Sequence, residues 1–410
     1  MISTSSRSAC ASSEMSAPPI VQLSRKGEER LREGHLWVFG DDLREIPPAL
    51  APGQWVRVVS RSGEPLGTGM LNLESRIALR IVSRGEASPG KAFLRERLTQ
   101  AWRRREEAGL AALRALRLVY SEGDFLPGLI ADRFGSILCI QILTAGMEAL
   151  RGEIVESLAE MFPCRMIYER SEGGARRHEG LPDRKGPLHG GGEPREEVEM
   201  DGLRFQVDVE AGPKTGFFLD QRENRRIVRG LSAGKRVLDG FCSTGAFGFY
   251  ALSGGAESVL AIDSSASAVS AAGENAARNG FADRWEGKAA DLFSGLRELS
   301  ASGRRFDMVV LDPPSFAKSR EGREGALRGY KDINRLGLSV LAPEGVLATA
   351  SCTQLVDMAK WKEALRAAAA DAQADLQLLA SGGQPLDHPV LLGMPETEYL
   401  KFAVYRKRLP

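Results

Sequence analysis

The chain has 410 residues, which is too long for one simple domain and suggests two or three. Hydrophobic residues make up 43% and charged residues 27%, a composition that excludes a largely disordered or fibrous protein. The net charge of +1 predicts no partner by itself, and no apolar run reaches the roughly 18 residues of a bilayer-spanning helix.

The N-terminal segment and the cysteines bear on where the protein works. Residues 1–19 are rich in serine and lack the apolar stretch of a secretory signal, so we expect a disordered leader. Cysteine and histidine are scattered, without CxxC pairs or metal-ligand spacing, which predicts no disulfide framework, no metal site and a reducing, cytoplasmic location. The cysteines are Cys10, Cys139, Cys164, Cys242 and Cys352, and the histidines are His35, His178, His189 and His388.

Residues 20–86 contain short β-like runs broken by glycine and proline, with a helix near Gly27–Glu33, which predicts a small β-rich module. Between Ile20 and Arg117 there are 18 Lys and Arg against 12 Asp and Glu. This basic excess on a nearly neutral chain indicates a module that faces a polyanion. On charge alone, a solvated surface explains the excess equally well.

Residues 87–197 are expected to form a central helix and β-hairpin domain. Apolar residues at three- and four-residue spacing predict a helix over 90–117, and two apolar runs around DRFG predict a hairpin. A helix over Glu148–Met161 and a strand over Arg165–Glu169 follow. Residues 171–197 are rich in Gly and Arg and lack periodicity, which predicts a long loop.

From residue 198 to the C-terminus, apolar strands alternate with helices, which predicts a doubly wound, mostly parallel sheet. Such sheets bind ligands beyond the carboxyl ends of their strands. The predicted strands are Arg236–Asp239, Ser258–Ile262, Phe306–Leu311 and Val346–Ala350, and the predicted helices include Ala266–Asn279 and Glu324–Leu341.

The stretch KRVLDGFCSTGAFGFYAL has the order strand, glycine-bearing turn, helix that suits a nucleotide-like cofactor. Asp239 ends the strand, and Ser243 stands where a dinucleotide-binding turn has its first glycine. Asp263, 24 residues later, is placed to accept hydrogen bonds from ribose hydroxyls. Asp291 follows at a similar interval and suits either an adenine amine or a helix N-cap. Three acids at successive strand ends suggest S-adenosylmethionine, although a plain strand–turn–helix remains an alternative.

Two residues beyond the next strands carry candidate chemistry. Asp312 in DPPSF follows a buried strand, and the two prolines stiffen the backbone around its carboxyl group. Cys352 follows the next strand, where a thiolate could attack C6 of a pyrimidine and activate C5 toward a methyl donor. A small buried cysteine is the alternative, and Cys242 in the cofactor turn is the rival thiol.

The whole chain from about residue 20 resembles the bacterial large-subunit ribosomal RNA cytosine-C5 methyltransferases that carry an N-terminal PUA domain. The resemblance rests on ordered blocks that include LSRKGEERLREGHLWVFGDDL, VYSEGDFLPGLIADRFG, PKTGFFLDQRENR, DPPSFAKS, GYKDIN, SCTQ and PETEYLKFAVYR. It implies an α/β fold: a Rossmann-like class I methyltransferase domain over 198–410, preceded by a PUA-like RNA-binding domain over 20–86 and an α+β central domain. Ser243 is smaller than the residue the family often has before TG.

The resemblance also implies roles for individual residues. Cys352 matches the nucleophile, Asp312 the acid that contacts the target base, and Gln221 a segment over the cofactor; the base that removes the C5 proton is Asp312 or water. The expected cofactor-binding residues are Gln221, Asp239, Phe241, Ser243, Thr244, Gly245, Asp263, Asp291 and Asp312. The residues expected to contact RNA are Arg25, Lys26, Phe316, Tyr330 and Lys331, the last two with a helix or surface role as an equal alternative.

The expected activity is therefore S-adenosylmethionine-dependent formation of 5-methylcytosine in large-subunit ribosomal RNA through a cysteine–C6 adduct. Two alternatives stay open: methylation of an exocyclic amine, which also uses DPP-type turns, and a non-catalytic RNA-binding or ribosome-assembly factor. The expected partner is ribosomal RNA, without a membrane or a metal. The oligomeric state is open, with a homodimer as one possibility.

Overall fold

The computed structural model describes residues 18–317 and 321–408. Of the expected leader, residues 1–17 lie outside this range. The chain separates into two compact units, one that ends at Pro89 and one that runs from Gly90 to Pro410.

Over residues 18–89, the N-terminal unit is a five-stranded sheet with one α-helix. Its elements are β1 (Ile20–Gln22), α1 (Arg25–Arg32), β2 (Trp37–Val38), β3 (Gln54–Val59), β4 (Pro65–Leu71) and β5 (Leu79–Ser83). The strand order is β1-β3-β4-β5-β2. Helix α1 begins after Ser24, whose side chain accepts a hydrogen bond from the Gly27 N–H and caps the first turn. The predicted β-rich module with an early helix is confirmed.

The second unit begins with a five-stranded sheet and its helices. These elements are α2 (Lys91–Glu107), β6 (Ala115–Tyr120), β7 (Leu129–Phe134), β8 (Ile137–Ile142), α3 (Ala145–Ala149), α4 (Arg151–Met161), β9 (Met166–Ser171), α5 (Gly174–Arg177) and β10 (Arg184–Gly190). The strand order is β10-β9-β8-β7-β6. Strands β7 and β8 pair antiparallel from Leu129↔Ile142 to Phe134↔Ile137, so the predicted hairpin is present.

Two predictions in this region were wrong. The helix predicted over 90–117 stops at Glu107, because Gly109 adopts a left-handed backbone (φ +72°) and the chain then pairs with β7 as strand β6. The segment 171–197 is not one long loop. It contains α5 and β10, and β10 pairs with β9 through its backbone, so its exposed Gly- and Arg-rich sequence needs no apolar periodicity.

A two-stranded ribbon and a seven-stranded sheet complete the unit. Their elements are β11 (Arg195–Met200), β12 (Leu203–Asp208), α6 (Arg222–Gly230), β13 (Arg236–Gly240), α7 (Ala246–Ser253), β14 (Ser258–Asp263), α8 (Ala266–Arg278), β15 (Trp285–Ala289), α9 (Leu292–Ala301), β16 (Phe306–Leu311), α10 (Arg323–Val340), β17 (Leu341–Ser351), α11 (Met358–Asp371), β18 (Asp375–Gly382) and β19 (Lys401–Arg408). The sheet order is β15-β14-β13-β16-β17-β19-β18, parallel except at β19. The predicted doubly wound, mostly parallel sheet is confirmed.

The apolar core explains why the two sheets of the second unit form one body. One buried cluster contains Phe134 and Ile137 from the five-stranded sheet, Phe205 from the ribbon, and Val237 and Met308 from the seven-stranded sheet. Burial of this shared surface is the main driving force for their association. Among residues 18–317 and 321–408, no helix is both long and apolar enough to span a bilayer, and no group of three His, Cys, Asp or Glu could hold a metal.

Candidate active site

Three candidate residues meet at the carboxyl edge of the seven-stranded sheet. Asp239 lies in β13, Asp312 follows β16 and Cys352 follows β17. Strands β13, β16 and β17 are adjacent and parallel, with Gly240 opposite Leu311 and Leu311 opposite Thr349. The strand order reverses between β13 and β16, and the crevice at such a switch point is where open α/β sheets bind ligands.

Asp312 is held by Gln221 and kept partly protonated near neutral pH. The Gln221 Nε2 donates to Asp312 Oδ1 over 2.8 Å, and Gln221 Oε1 accepts from Asn224 Nδ2 over 2.6 Å. Burial, with repulsion from the Asp220 carboxylate, raises the pKa of Asp312 to about 7. The carboxyl group can therefore act as donor or acceptor close to neutral pH.

Cys352 lies next to the DPP turn. Its Sγ is 3.9 Å from the carbonyl oxygen of Pro313, and its side chain is partly exposed. Burial, then the charge of Asp312, raises the pKa of the Cys352 thiol to about 11, while the Lys214 ammonium lowers it. The sheet thus brings together a thiol and a carboxyl group that are 40 residues apart along the chain.

The Asp239 carboxylate has one buried oxygen available to accept a hydrogen bond from a ligand. Its Oδ2 accepts from the Gly248 N–H over 2.8 Å, and its buried Oδ1 has no partner among the described residues. Burial raises the pKa of Asp239 to about 7, with Asp312 adding to the effect. An unpaired buried carboxylate oxygen is costly, and the ammonium group of a bound amino-acid moiety would satisfy it.

The turn after β13 has the backbone of a ligand-binding loop. Phe241 (φ 61°), Ser243 (φ 48°) and Gly245 (φ 82°) all adopt left-handed conformations, which are costly for Phe and Ser, and Thr244 lies between the last two. The Ser243 N–H donates to Asp263 Oδ2 over 2.9 Å, which ties the turn to the end of β14.

The Asp263 carboxylate keeps acceptor capacity for a ligand. Its Oδ1 accepts from the Ser265 N–H over 2.9 Å, and each carboxylate oxygen has a second lone pair. The rival thiol, Cys242, is buried in the turn, and burial raises its pKa well above its usual value. Cys242 is therefore far less able than Cys352 to form a thiolate.

Asp291 and Phe316 are two further residues that the sequence placed in the site, and each has a structural contact. Asp291 is the N-cap of α9, where its Oδ2 accepts from the Ser294 N–H over 2.9 Å. The Phe316 ring packs against Phe241 at 6.5 Å and Tyr330 at 4.9 Å between centroids. Phe316 thus packs between the turn after β13 and helix α10.

Two residues expected to contact RNA have other partners. Tyr330 is fully buried, and its hydroxyl hydrogen-bonds the Thr353 hydroxyl at 2.6 Å, so it supports the turn beside Cys352 and does not face a groove. Lys331 forms an ion pair with Asp371 over 2.9 Å on the surface. Their adjacency in GYKDIN gave no sign that a helix turns one inward and the other outward. Arg25 and Lys26, in the N-terminal unit, are both exposed on α1.

The sequence analysis missed a polar cluster beside Cys352. Lys214 forms an ion pair with Asp220 over 2.9 Å, and Asp220 also accepts from the Tyr399 hydroxyl. Burial opposes the charge of Asp220, yet its pKa lies well below the usual value because Lys214, His388 and these hydrogen bonds stabilise it. Lys401 hydrogen-bonds the carbonyl of Thr353. Lys214, Asp220, Tyr399 and Lys401 lie within PKTGFFLDQRENR or PETEYLKFAVYR. Each block contains several charged residues, so no signal in the sequence singled out these four.

Comparison with known proteins agrees with this geometry. Residues 21–84 match the family described as PUA-like domain, and residues 175–377 match the family described as S-adenosylmethionine-dependent methyltransferase. Curated relatives named ribosomal RNA large subunit methyltransferase I include one from Tolumonas auensis, 39% identical over 94% of this chain and 98% of its own. Another from Aeromonas hydrophila is 39% identical over 95% of this chain and 99% of its own.

Solved structures support the same fold. A Streptococcus mutans protein named as a SAM-dependent methyltransferase superposes with a TM-score of 0.82 over 95% of this chain and 100% of its own, at 21% identity. A structure named as a methyltransferase complexed with SAH gives the same TM-score and identity over 95% of this chain and 99% of its own. At this identity the likeness establishes the fold alone.

Proposed function

Since the chain belongs to the family of the ribosomal RNA large subunit methyltransferase I proteins, which depend on S-adenosylmethionine, we propose that it methylates C5 of a cytosine in large-subunit ribosomal RNA. The observation that carries the proposal is the meeting of Cys352 and Asp312 at one sheet edge, with the Cys352 Sγ 3.9 Å from Pro313 O. A cytosine has to leave its stack to enter such a site. The substrate would place the protein in the cytoplasm.

The chain's own residues account for the first step. The Cys352 thiolate adds to C6, which forms the S–C6 bond and moves the C5–C6 π pair toward C5. Asp312 holds the N3/N4 edge of the base, and its acid form donates a hydrogen bond that stabilises the charge entering the ring. A pKa of about 7 makes that acid form available at neutral pH.

Two bonds then exchange at C5. A bound cofactor would supply a methyl group on a sulfonium: the electron pair at C5 would form the C5–CH3 bond, and the electron pair of the broken C–S bond would stay on the cofactor sulfur. A base then removes the C5 proton: a water molecule while Asp312 carries its proton, or Asp312 in its ionised form. The electron pair of the C5–H bond forms the C5–C6 double bond, the S–C6 bond breaks, and the Cys352 thiolate is regenerated. One proton is released per methyl group transferred.

The cofactor would be held by the first three strand ends of the sheet. Asp239 Oδ1 would accept from its ammonium group, Asp263 from the ribose hydroxyls and Asp291 from the adenine amine. The turn from Phe241 to Gly245 would line the adenosyl group, and Gln221 would cover the reacting end next to Asp312.

A nucleoside assay tests the proposal. Undermodified large-subunit RNA is incubated with labelled S-adenosylmethionine and wild-type protein or Cys352→Ala, then digested to nucleosides. We expect label in 5-methylcytidine with wild type and at least about a thousand-fold less with Cys352→Ala. Label in an N-methylated base would move the assignment to amine methylation, and undiminished 5-methylcytidine in the variant would exclude Cys352 as the nucleophile.

A further inference from the structure

A buried lysine lies beside the proposed nucleophile. Lys401 is the first residue of β19 and pairs with Ser351, the last residue of β17 and the neighbour of Cys352. Its side chain is buried, and its Nζ donates to the carbonyl oxygens of Thr353 at 3.0 Å and Tyr399 at 2.9 Å. Lysine is almost never buried without a counter-charge, so this position calls for a physical reason.

No carboxylate neutralises Lys401 directly. Within residues 18–317 and 321–408, no Asp or Glu oxygen lies within ion-pair distance of its Nζ, and Glu398 and Asp357 act on it only through space. Burial lowers the pKa of Lys401, and the charge of Cys352 is the strongest influence that raises it. Among the acidic groups around Lys401, ionised Cys352 therefore has the strongest effect on this ammonium group, ahead of Glu398 and Asp357.

Lys214, the second lysine near Cys352, already forms an ion pair with a carboxylate. Lys214 is paired with Asp220 over 2.9 Å, and its ammonium lies over the Phe218 ring at 4.8 Å from the centroid. Asp220 and Asp312 both act against a thiolate at Cys352. Lys214 favours the thiolate through its charge, and Lys401, hydrogen-bonded to the Thr353 carbonyl, is a second cation on the turn that carries the thiol.

We propose that Lys401 holds the turn that carries Cys352 through the Thr353 carbonyl and supplies the positive charge that stabilises the Cys352 thiolate. This inference rests on the proposed function, which makes Cys352 the nucleophile. In a low-dielectric site, an ammonium group on the turn that bears the thiol favours the thiolate strongly. Lys401 acts through Cys352 and is a positioning residue, with Tyr330 supporting the same turn through Thr353.

The same strand provides a matched control. Lys407 also lies in β19, and its Nζ donates to the carbonyl oxygens of Leu338 at 3.0 Å and Leu341 at 3.2 Å. Burial lowers the pKa of Lys407 as well, with Arg305 adding to the effect. Lys407 is half-buried and, like Lys401, donates to two carbonyl oxygens, but it lies at the far end of the strand from Cys352.

Alkylation of Cys352 tests the charge without RNA or methyl transfer. The full chain is treated with iodoacetamide from about pH 7 to about pH 10.5, and modification of the peptide that contains Cys352 is followed by mass spectrometry. We expect Lys401→Gln, which keeps hydrogen-bond donors, to slow alkylation at about pH 8 about ten-fold and to move the profile upward by about one pH unit. We expect Lys401→Arg to retain most of the rate and Lys407→Gln to leave it unchanged.

The alkylation profiles of the variants support or overturn the role proposed for Lys401. An unchanged profile in a folded Lys401→Gln overturns the proposal, as does an equal shift in Lys407→Gln. If Lys401→Gln does not fold, Lys401→Arg carries the test, and a fall in its alkylation rate in folded protein overturns the charge role. A shifted alkylation profile alongside methyl transfer that survives Cys352→Ala would instead retain the Lys401–Cys352 pairing and exclude the proposed nucleophile.

Discussion

At the residue scale, burial and neighbouring charges raise the pKa of two carboxyl groups of the site well above the usual value. Burial raises the pKa of both Asp239 and Asp312 to about 7, and the charge of Asp312 adds to the effect on Asp239. Asp220, equally enclosed, stays ionised because Lys214 and the Tyr399 hydroxyl bind it. Carboxyl groups whose pKa values differ in this way can serve, within one site, as a hydrogen-bond donor and as a fixed negative charge.

The Gln221 amide is the first residue whose removal should be informative. Gln221→Met removes a donor that favours the charged form of Asp312, so the pKa of Asp312 rises further. We expect methyl transfer to fall about ten- to a hundred-fold and the limb of the pH–rate profile governed by Asp312 to move to higher pH. Gln141→Met removes one comparable hydrogen bond, to the Arg170 carbonyl, and should leave the profile unmoved; a shift there would contradict the assignment.

The Asp239 carboxyl makes a prediction about stability without cofactor. A carboxyl whose pKa is raised on folding favours the fold at low pH and loses that contribution as pH rises through about 7. Asp239→Asn should therefore raise the free energy of unfolding at about pH 8 by on the order of 2 kcal/mol, and the gain should vanish near about pH 4. Urea unfolding at both pH values measures this.

Replacing Asp307 should have the opposite effect on the free energy of unfolding in the same experiment. Hydrogen bonding to Arg236 lowers its pKa, so its contribution is present above the unfolded value and is lost as pH falls. Asp307→Asn should destabilise the protein at about pH 8 and have less effect at low pH. Parallel behaviour of the two variants would contradict the assigned environments.

Single site residues could be predicted from the sequence where they directly follow a predicted strand. Asp312 and Cys352 follow buried strands in the sequence, and the structure brings them together as expected. Lys401 and Asp220 have no such mark, because their burial results from pairing across β17–β19 and from packing of a distant segment. Tyr330 was misplaced because helix phase, not sequence adjacency, decides which side chain points inward.

At the element scale, sequence patterns predicted correctly the strands that are buried in the large sheet. The parallel strands of the large sheet are apolar runs that end near their predicted residues, because burial on both faces demands such runs. Strand β10 escaped prediction because it is an exposed edge strand held by backbone pairing to β9. Strand β6 reads as ALRLVY, whose first residues favour helix, and only its pairing with β7 overrides that preference.

Two adjacent glycines at the end of β10 test that strand. A Cβ on Gly190 would lie 1.9 Å from the Arg165 carbonyl oxygen in a left-handed backbone (φ +66°), whereas a Cβ on Gly191 meets nothing within 4 Å. Gly190→Ala should lower the free energy of unfolding by about 2 kcal/mol or more, and Gly191→Ala by less than about 0.5 kcal/mol. Equal effects in a denaturant titration would contradict this β10–β9 pairing.

At the scale of the whole molecule, the chain joins a β-rich unit to a larger unit that contains the candidate site. Residues 20–89 are nearly neutral, with 10 Lys and Arg against 9 Asp and Glu, so phosphate contacts of the smaller unit would come from individual exposed cations and not from a net basic charge. The relatives match over nearly their whole length, so both units belong to the family's common architecture. Binding and chemistry should then respond to different substitutions.

Exposed cations of α1 test this division of labour. Arg25→Ala with Lys26→Ala should weaken binding to ribosomal RNA and make the salt dependence shallower by about 1.4, or about 0.7 for each phosphate that is no longer neutralised, with kcat little changed. Lys362→Ala with Arg366→Ala removes the same charge from the exposed face of α11 and should change the slope less. Equal slopes for both double variants would contradict a specific role for the N-terminal unit.

The most direct test of the central claim is to trap the adduct. RNA that carries 5-fluorocytidine has no C5 proton to lose, so a thiol that has added to C6 stays bonded after methyl transfer. With S-adenosylmethionine, we predict a covalent protein–RNA complex whose linkage maps by mass spectrometry to Cys352 and is absent in Cys352→Ala. A linkage at another residue, or turnover of normal RNA to 5-methylcytidine without any trapped complex, would contradict the mechanism.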